Sequence, residues 1–143
     1  MNTEPTFKEY AAFDELVIAS FEGEKIIYDL EERTFQFAKR VRAVLKLLPK
    51  SISNVEDSAQ LANSSGSVGA NYIEANEAIS PKDFLYRLKI CRKESKESRY
   101  WLRLLDVGEN AFAETERSLL INEARELVLI FNSIVRKNEA KTK

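Results

Sequence analysis

The chain has 143 residues, 44% of them apolar and 31% charged, with 4 Gly, 3 Pro, 1 Cys and no His. This describes one domain able to bury about two-thirds of its unfolded surface without a disulfide or metal staple; it excludes disordered and collagen-like chains and disfavours an all-β fold, which needs many Gly/Pro turns. The missing histidine removes imidazole acid–base catalysis, imidazole metal ligands and every Ser-His or Cys-His nucleophile pair, and the net charge of −1 conceals an uneven distribution.

Residues 1–28 carry two Lys against six acids, and 29–50 six basic against three acidic residues. Residues 51–80 hold four acids and no Lys or Arg, whereas 81–105 hold eight basic and three acidic residues. Such segregation creates local faces of either sign. One cysteine suits a reducing compartment. No apolar run approaches ~18 residues, and MNTEPTFKEY lacks the apolar stretch of a signal peptide. A cytoplasmic protein without membrane contact is expected.

In chain order, residues 1–28 hold Phe7, Tyr10, Phe13, Leu16, Val17 and Ile18. They suit a short helix, or an arm lying on the rest of the chain or on a neighbouring subunit. The first long helix is expected over 29–48, with Leu30, Thr34, Phe37, Val41, Val44 and Leu48 on a heptad-like seam. The second is expected over 54–78, with Asn54 as N-cap and Val55, Ala59, Ala62, Gly66, Gly69 and Ile73 facing the core. The third begins at Ser80-Pro81, a cap followed by proline at the first helical position. Its seam is Phe84, Leu88, Cys91, Ser95, Ser98, Leu102 and Leu105, and Gly108 is its natural stop. The fourth covers 113–137, with Leu120, Ala124, Leu127, Phe131 and Ile134 inward, and 139–143 read as a flexible tail. The fold class is all-α, with residues 29–138 forming an antiparallel up-down-up-down four-helix bundle.

Helix two has a second unusual face. From Ser58 to Ile73 it carries no charge over 16 positions. Outside the Gly/Ala seam, Leu61, Val68 and Tyr72 widen the apolar arc, and a helix apolar or small nearly all round is normally buried. A subunit interface through Leu61, Ser64, Ser67, Val68, Asn71 and Tyr72 is therefore expected, so the chain should self-associate; the plainer alternative is cover by the N-terminal arm.

The stretch SVGANYIEANEA (67–78), followed by PKDFLYRLKICRKESKESRYWLRLL (81–105), resembles the bacterial four-helix-bundle proteins named for 23S rRNA intervening sequences. Ser67, Val68, Asn71 and Glu74 approximate that family's helix-two pattern. Lys93, Glu94, Ser95, Glu97, Tyr100, Trp101 and Leu102 match its helix-three pattern. The resemblance covers about residues 25–138. It implies a homopentameric ring without catalytic activity. It also implies kinship with accessory proteins of diversity-generating retroelements, whose basic barrel surface engages nucleic acid and a reverse transcriptase.

Chemistry-bearing constellations are sparse. Glu74/Glu77 and Glu94/Glu97 are i,i+3 carboxylate pairs, but a di-metal bundle site also uses histidine. No metal, cofactor or catalytic residue is expected. Glu94 is expected beside Arg87 and Trp101, and Cys91 reads as a small core residue. Gly66 and Gly69 have no strand–turn context for a phosphate loop. Lys89, Arg92, Lys96, Arg99 and Arg103 step 3-4-3-4 along helix three. Such a ladder can track the phosphates of RNA or DNA. It equally suits a solvated face or salt bridges, and Arg33 and Arg40 are candidates to extend it. The sequence pI near 5.7 allows at most weak nucleic-acid binding. Two readings follow: a non-enzymatic assembly or adaptor protein, or a nucleic-acid-binding accessory protein.

Overall fold

A computed structural model describes residues 29–141. The expected N-terminal arm, residues 1–28, lies outside them. Four helices follow one another: α1 (Leu30–Leu45), α2 (Ile52–Asn76), α3 (Pro81–Leu104) and α4 (Ala111–Lys141), with no strand among the described residues.

Local chemistry sets the helix starts. The Asp29 carboxylate accepts from the Glu32 amide at 2.7 Å, satisfying an amide that α1 leaves free. The Ser80 hydroxyl accepts from the Asp83 amide at 3.0 Å and Pro81 follows, as expected. Two starts differ from expectation. The cap of α2 is Ser51, which accepts from the Asn54 amide at 3.1 Å, so Asn54 lies inside the first turn. Its side chain donates to the carbonyls of Pro49 and Asp106, each at 2.8 Å, and accepts from the Asp106 amide at 3.0 Å. Asn110 accepts from the Ala113 amide at 2.9 Å, so α4 begins at Ala111. At its other end α4 runs to Lys141, and residues 139–141 are helical where a flexible tail was expected. Gly108 adopts a positive φ of 64° within the 105–110 turn, the left-handed region that glycine enters freely.

Pairs across the helices fix their senses. Arg42 reaches Ala62 while Thr34 faces Gly69. Arg87 reaches Asn71 and Ser98 reaches Ser64. Lys89 meets Glu139 and Arg117 meets Leu105. Arg33 meets Glu123 and Arg40 meets Glu116. Each pair runs one number up as the other runs down, so successive helices are antiparallel and α1 closes against α4.

The buried apolar residues of the four described helices form one core cluster. The expected seams of α3 and α4 are wholly buried, and that of α1 is buried except at half-buried Leu48. The seam of α2 is reversed. Leu61, Ser64, Val68 and Tyr72 enter this protomer's own core, while Val55 and Ile73 are 60% and 48% exposed. Both stripes repeat at helical spacing, so periodicity alone does not choose between them. Burial follows the stripe with the larger apolar side chains, which removes more area from water.

The small residues instead govern backbone approach. The Ser98 and Ser64 hydroxyls meet at 3.0 Å between α3 and α2. The Cys91 thiol donates to the Val68 carbonyl at 3.4 Å. On the other side of α2, a Cβ on Gly69 would stand 2.9 Å from Thr34 Oγ1. On Gly66 it would meet only the end of the Arg42 side chain, at 3.1 Å. Opposite outcomes are expected from one substitution. Gly66→Ala should stabilise by up to ~1 kcal/mol through helix propensity. Gly69→Ala should destabilise by roughly 1–3 kcal/mol through overpacking against buried Thr34. Urea unfolding of the two variants checks the contrast.

Candidate functional site

The basic ladder of α3 lies beside α4. Its members differ in freedom. Lys89 pairs with Glu139 at 3.1 Å, and Arg92 donates to Asn132 Oδ1 at 2.9 Å. Arg99 is half-buried, with its Nε enclosed and without a hydrogen-bond partner. Lys96 and Arg103 are exposed. On α4, Asn132, which meets Arg92, lines a shallow depression of about 450 Å³ together with Leu129, Ser133, Arg136, Lys137 and Ala140. The face is therefore cationic and polar, a signal available in the sequence only once α4 is known to lie beside α3. Arg33 and Arg40 do not extend it. Arg33 grips Glu123 at 2.7 and 2.9 Å, and Arg40 approaches Glu116 at 3.3 Å, both tying α1 to α4.

The expected subunit interface on α2 is largely internal. Leu61, Ser64, Val68 and Tyr72 are core residues. Ser67 and Asn71 are half-buried; Asn71 donates to the Ser67 carbonyl at 2.9 Å and accepts from Arg87 at 3.1 Å. An arginine at position 71 would sit against Arg87 and disturb the bundle itself. The face that α2 presents outward is its small-residue stripe. Gly66, Gly69, Ala70 and Ile73 form one wall of a groove of about 600 Å³. Phe35 and Ala38 of α1 form the other, with Glu31, Glu32, Lys39 and Arg42 around it.

A second apolar surface lies at one end of the bundle. There the loop after α1 meets the loop after α3 through the Asn54 hydrogen bonds, and a Cβ on Gly108 would touch Pro49. At this end Ile52, Val55 and Phe112 are 87%, 60% and 65% exposed, and Leu47 and Leu104 are exposed beside the same loops. Sequence reasoning assigned Val55 to the core and did not bring these exposed residues to one end, because they come from different helix ends and from the turn after α1.

Reactive groups are subdued. Burial pushes the Cys91 thiol up to about 12, so it stays protonated near neutral pH and is a poor nucleophile. Arg87 serves Asn71 and lies over the Tyr86 ring, and Trp101 packs edge-on against Tyr100 at 4.9 Å. The ion pair found for Glu94 is with Lys93 at 4.0 Å, in place of the expected pairing with Arg87. Among the described residues, no group of three His, Cys, Asp or Glu side chains is placed to hold a metal ion. None of their helices is long and apolar enough to cross a membrane.

Burial raises the Glu94 carboxyl, the neighbouring Glu97 charge adds to this, and Lys93 opposes it. The folded state thus holds this proton more tightly than the unfolded chain. The cost of ionisation is absent below the ordinary carboxylate range and sets in as pH rises through the folded value. Glu94→Gln should therefore raise Tm near pH 7, and this advantage should vanish in acid, as paired thermal melts would show.

The profile of the 23S rRNA-intervening sequence protein family matches residues 28–133, spanning α1, α2, α3 and most of α4. The chain belongs to that family. A member of the S23 ribosomal protein family from Bacteroides thetaiotaomicron, a protein of unknown function, has a similar crystal structure. Its identity is 30% and the TM-score 0.61, over 73% of this chain and 96% of that one. No curated protein matches the chain. The chain thus shares its bundle with a structurally characterised relative, and its first 27 residues lie outside the family match.

Proposed function

We propose that this chain is a non-enzymatic, homo-oligomeric adaptor of the cytoplasm, a helical bundle that works through contact surfaces. The observation that carries the reading is the apolar end formed by Leu47, Ile52, Val55, Leu104 and Phe112. Large apolar side chains gathered on a surface mark sites of association. Five subunits in a ring is the number suggested by the family resemblance, and a head-to-tail contact closes such a ring when its rotation allows. Light scattering at micromolar concentration tests the reading. The wild type should be oligomeric, and Ile52→Glu with Phe112→Glu should shift it toward monomer with helicity intact. A monomeric wild type would discard self-association. An oligomer indifferent to both substitutions would move the interface elsewhere.

The cationic α3–α4 face favours a second reading, a nucleic-acid-binding accessory protein, with a reverse transcriptase as partner by family analogy. Lys96 and Arg103 are exposed ladder members, and their removal leaves the Lys89 and Arg92 contacts in place. Binding of labelled RNA or duplex DNA should weaken steeply with salt. Lys96→Glu with Arg103→Glu should flatten that dependence by roughly 0.9 log units of slope per lost phosphate contact. An unchanged slope would remove this face as the site.

A further inference from the structure

Along the outside of α3, exposed aromatic and cationic side chains stand in two adjacent rows. Tyr86, Lys93 and Tyr100 recur every seven residues, and so do Lys89, Lys96 and Arg103. The second row is offset from the first by three residues, which places it about 60° away around the helix. Each row is 14 residues or about 21 Å long. We propose that this surface binds single-stranded nucleic acid, its phosphates following Lys89, Lys96 and Arg103 while two of its bases stack on Tyr86 and Tyr100. The proposal rests on the reading of the α3–α4 face as a nucleic-acid surface, and it names the form of strand that face takes.

Charge argues first. No member of either row is acidic, and residues 81–105 as a whole hold eight basic against three acidic residues. Lys89 and Lys93 meet Glu139 and Glu94 at 3.1 and 4.0 Å, in surface pairs that cost little to exchange for a phosphate. The tyrosines argue next. Tyr86 and Tyr100 are 59% and 54% exposed. Both rings are braced, Tyr86 by the Arg87 guanidinium 5.8 Å from its centre and Tyr100 by the edge-on contact with Trp101 at 4.9 Å. A braced ring loses less freedom when a base settles on it. Geometry argues last. In a duplex each base is covered on both faces by its neighbours, whereas an unpaired strand offers them to aromatic side chains. At the duplex rise per nucleotide, 21 Å spans about six nucleotides, and a stretched strand covers it with fewer. A backbone lying on the cationic row thus brings its bases over the aromatic row beside it. Stacking reads the π-face that every base has, so the ligand class is single-stranded RNA or DNA with little sequence preference.

Fluorescence anisotropy with the full chain tests this. The probes are labelled oligothymidylate, oligouridylate, an abasic strand and a thymidylate–adenylate duplex, all of one length; the first two separate DNA from RNA. The wild type should bind a base-bearing strand more tightly than the abasic strand and the duplex. Tyr86→Ala and Tyr100→Ala should each weaken that binding at least about fivefold. The double alanine variant should no longer distinguish base-bearing from abasic strands, and its binding to the abasic strand should match that of the wild type. Tyr86→Phe with Tyr100→Phe should keep the preference, because stacking uses the ring and not the hydroxyl. Circular dichroism checks that each variant keeps the wild-type helicity. Equal wild-type affinity for abasic and base-bearing strands, tighter binding of the duplex, alanine variants that bind like the wild type, or phenylalanine variants that behave like alanine would each overturn the proposal while leaving a salt-dependent nucleic-acid surface standing. Absence of salt-sensitive binding to any of the four probes would overturn that reading and the proposal together.

Discussion

Phe131→Ala is expected to cost the fold about 3–5 kcal/mol, the range for deleting a large aromatic side chain from a packed core. Phe131 is fully buried on α4, and its ring lies 5.9 Å from that of Tyr72 on α2, tilted by 55°. Truncation removes the apolar burial and this ring contact together, and leaves a void whose walls belong to different helices. Those walls are held by packing on their other sides and cannot all collapse inward. Domains of this kind have only ~5–15 kcal/mol of total stability. The urea midpoint should therefore fall by roughly 2 M. A loss below ~1 kcal/mol would show that the core refills the space.

The second large effect is polar. Asn54→Ala should cost about 2–3 kcal/mol although it removes only a small side chain. Asn54 is 3% exposed and makes three hydrogen bonds that join the loop after α1 to the loop after α3. Alanine leaves two carbonyls and one amide to find other partners, and an unsatisfied buried group costs roughly 1–3 kcal/mol. Asn54→Asp sharpens the test. A carboxylate keeps the acceptor for the Asp106 amide but opposes the Pro49 and Asp106 carbonyls with negative charge. Its folded-state pKa is therefore raised. Stability should be least near pH 7 and partly recover as acid protonates the group. A flat stability profile between pH 7 and pH 4 would remove this account.

Much of the fold was legible because α1, α3 and α4 each carry one dominant seam. Thr34, Cys91, Ser95 and Ser98 were placed inside although none is strongly apolar, since spacing outweighed polarity. Helix α2 misled for the same reason. It carries two interleaved stripes of equal period, and nothing local says which one faces three other helices. The choice depends on the summed bulk of Leu61, Val68 and Tyr72, a tertiary property. Asn54 was recognised as a capping residue, but Ser51 three positions earlier competes for that role and frees Asn54 for a long-range one. The candidate surfaces were the least legible part. The apolar end is assembled from different helix ends and the turn after α1, and the groove exists only because α1 crosses α2 over glycine.

The way α1 is held has a dynamic consequence. It is the shortest of the four described helices, it meets α2 where Thr34 lies against Gly69, and it packs more lightly against α4, where Arg33 and Arg40 form ion pairs. Helix α3 packs more extensively against both α2 and α4. Opening free energies differ within one protein, and elements with few packed neighbours lie at the low end. In native-state hydrogen exchange α1 should thus be the first helix to lose protection, detaching as a unit while the other three remain associated. The molecule then behaves as a three-helix platform with a hinged fourth member, and whatever settles along the α1–α2 groove acts as a latch on that hinge.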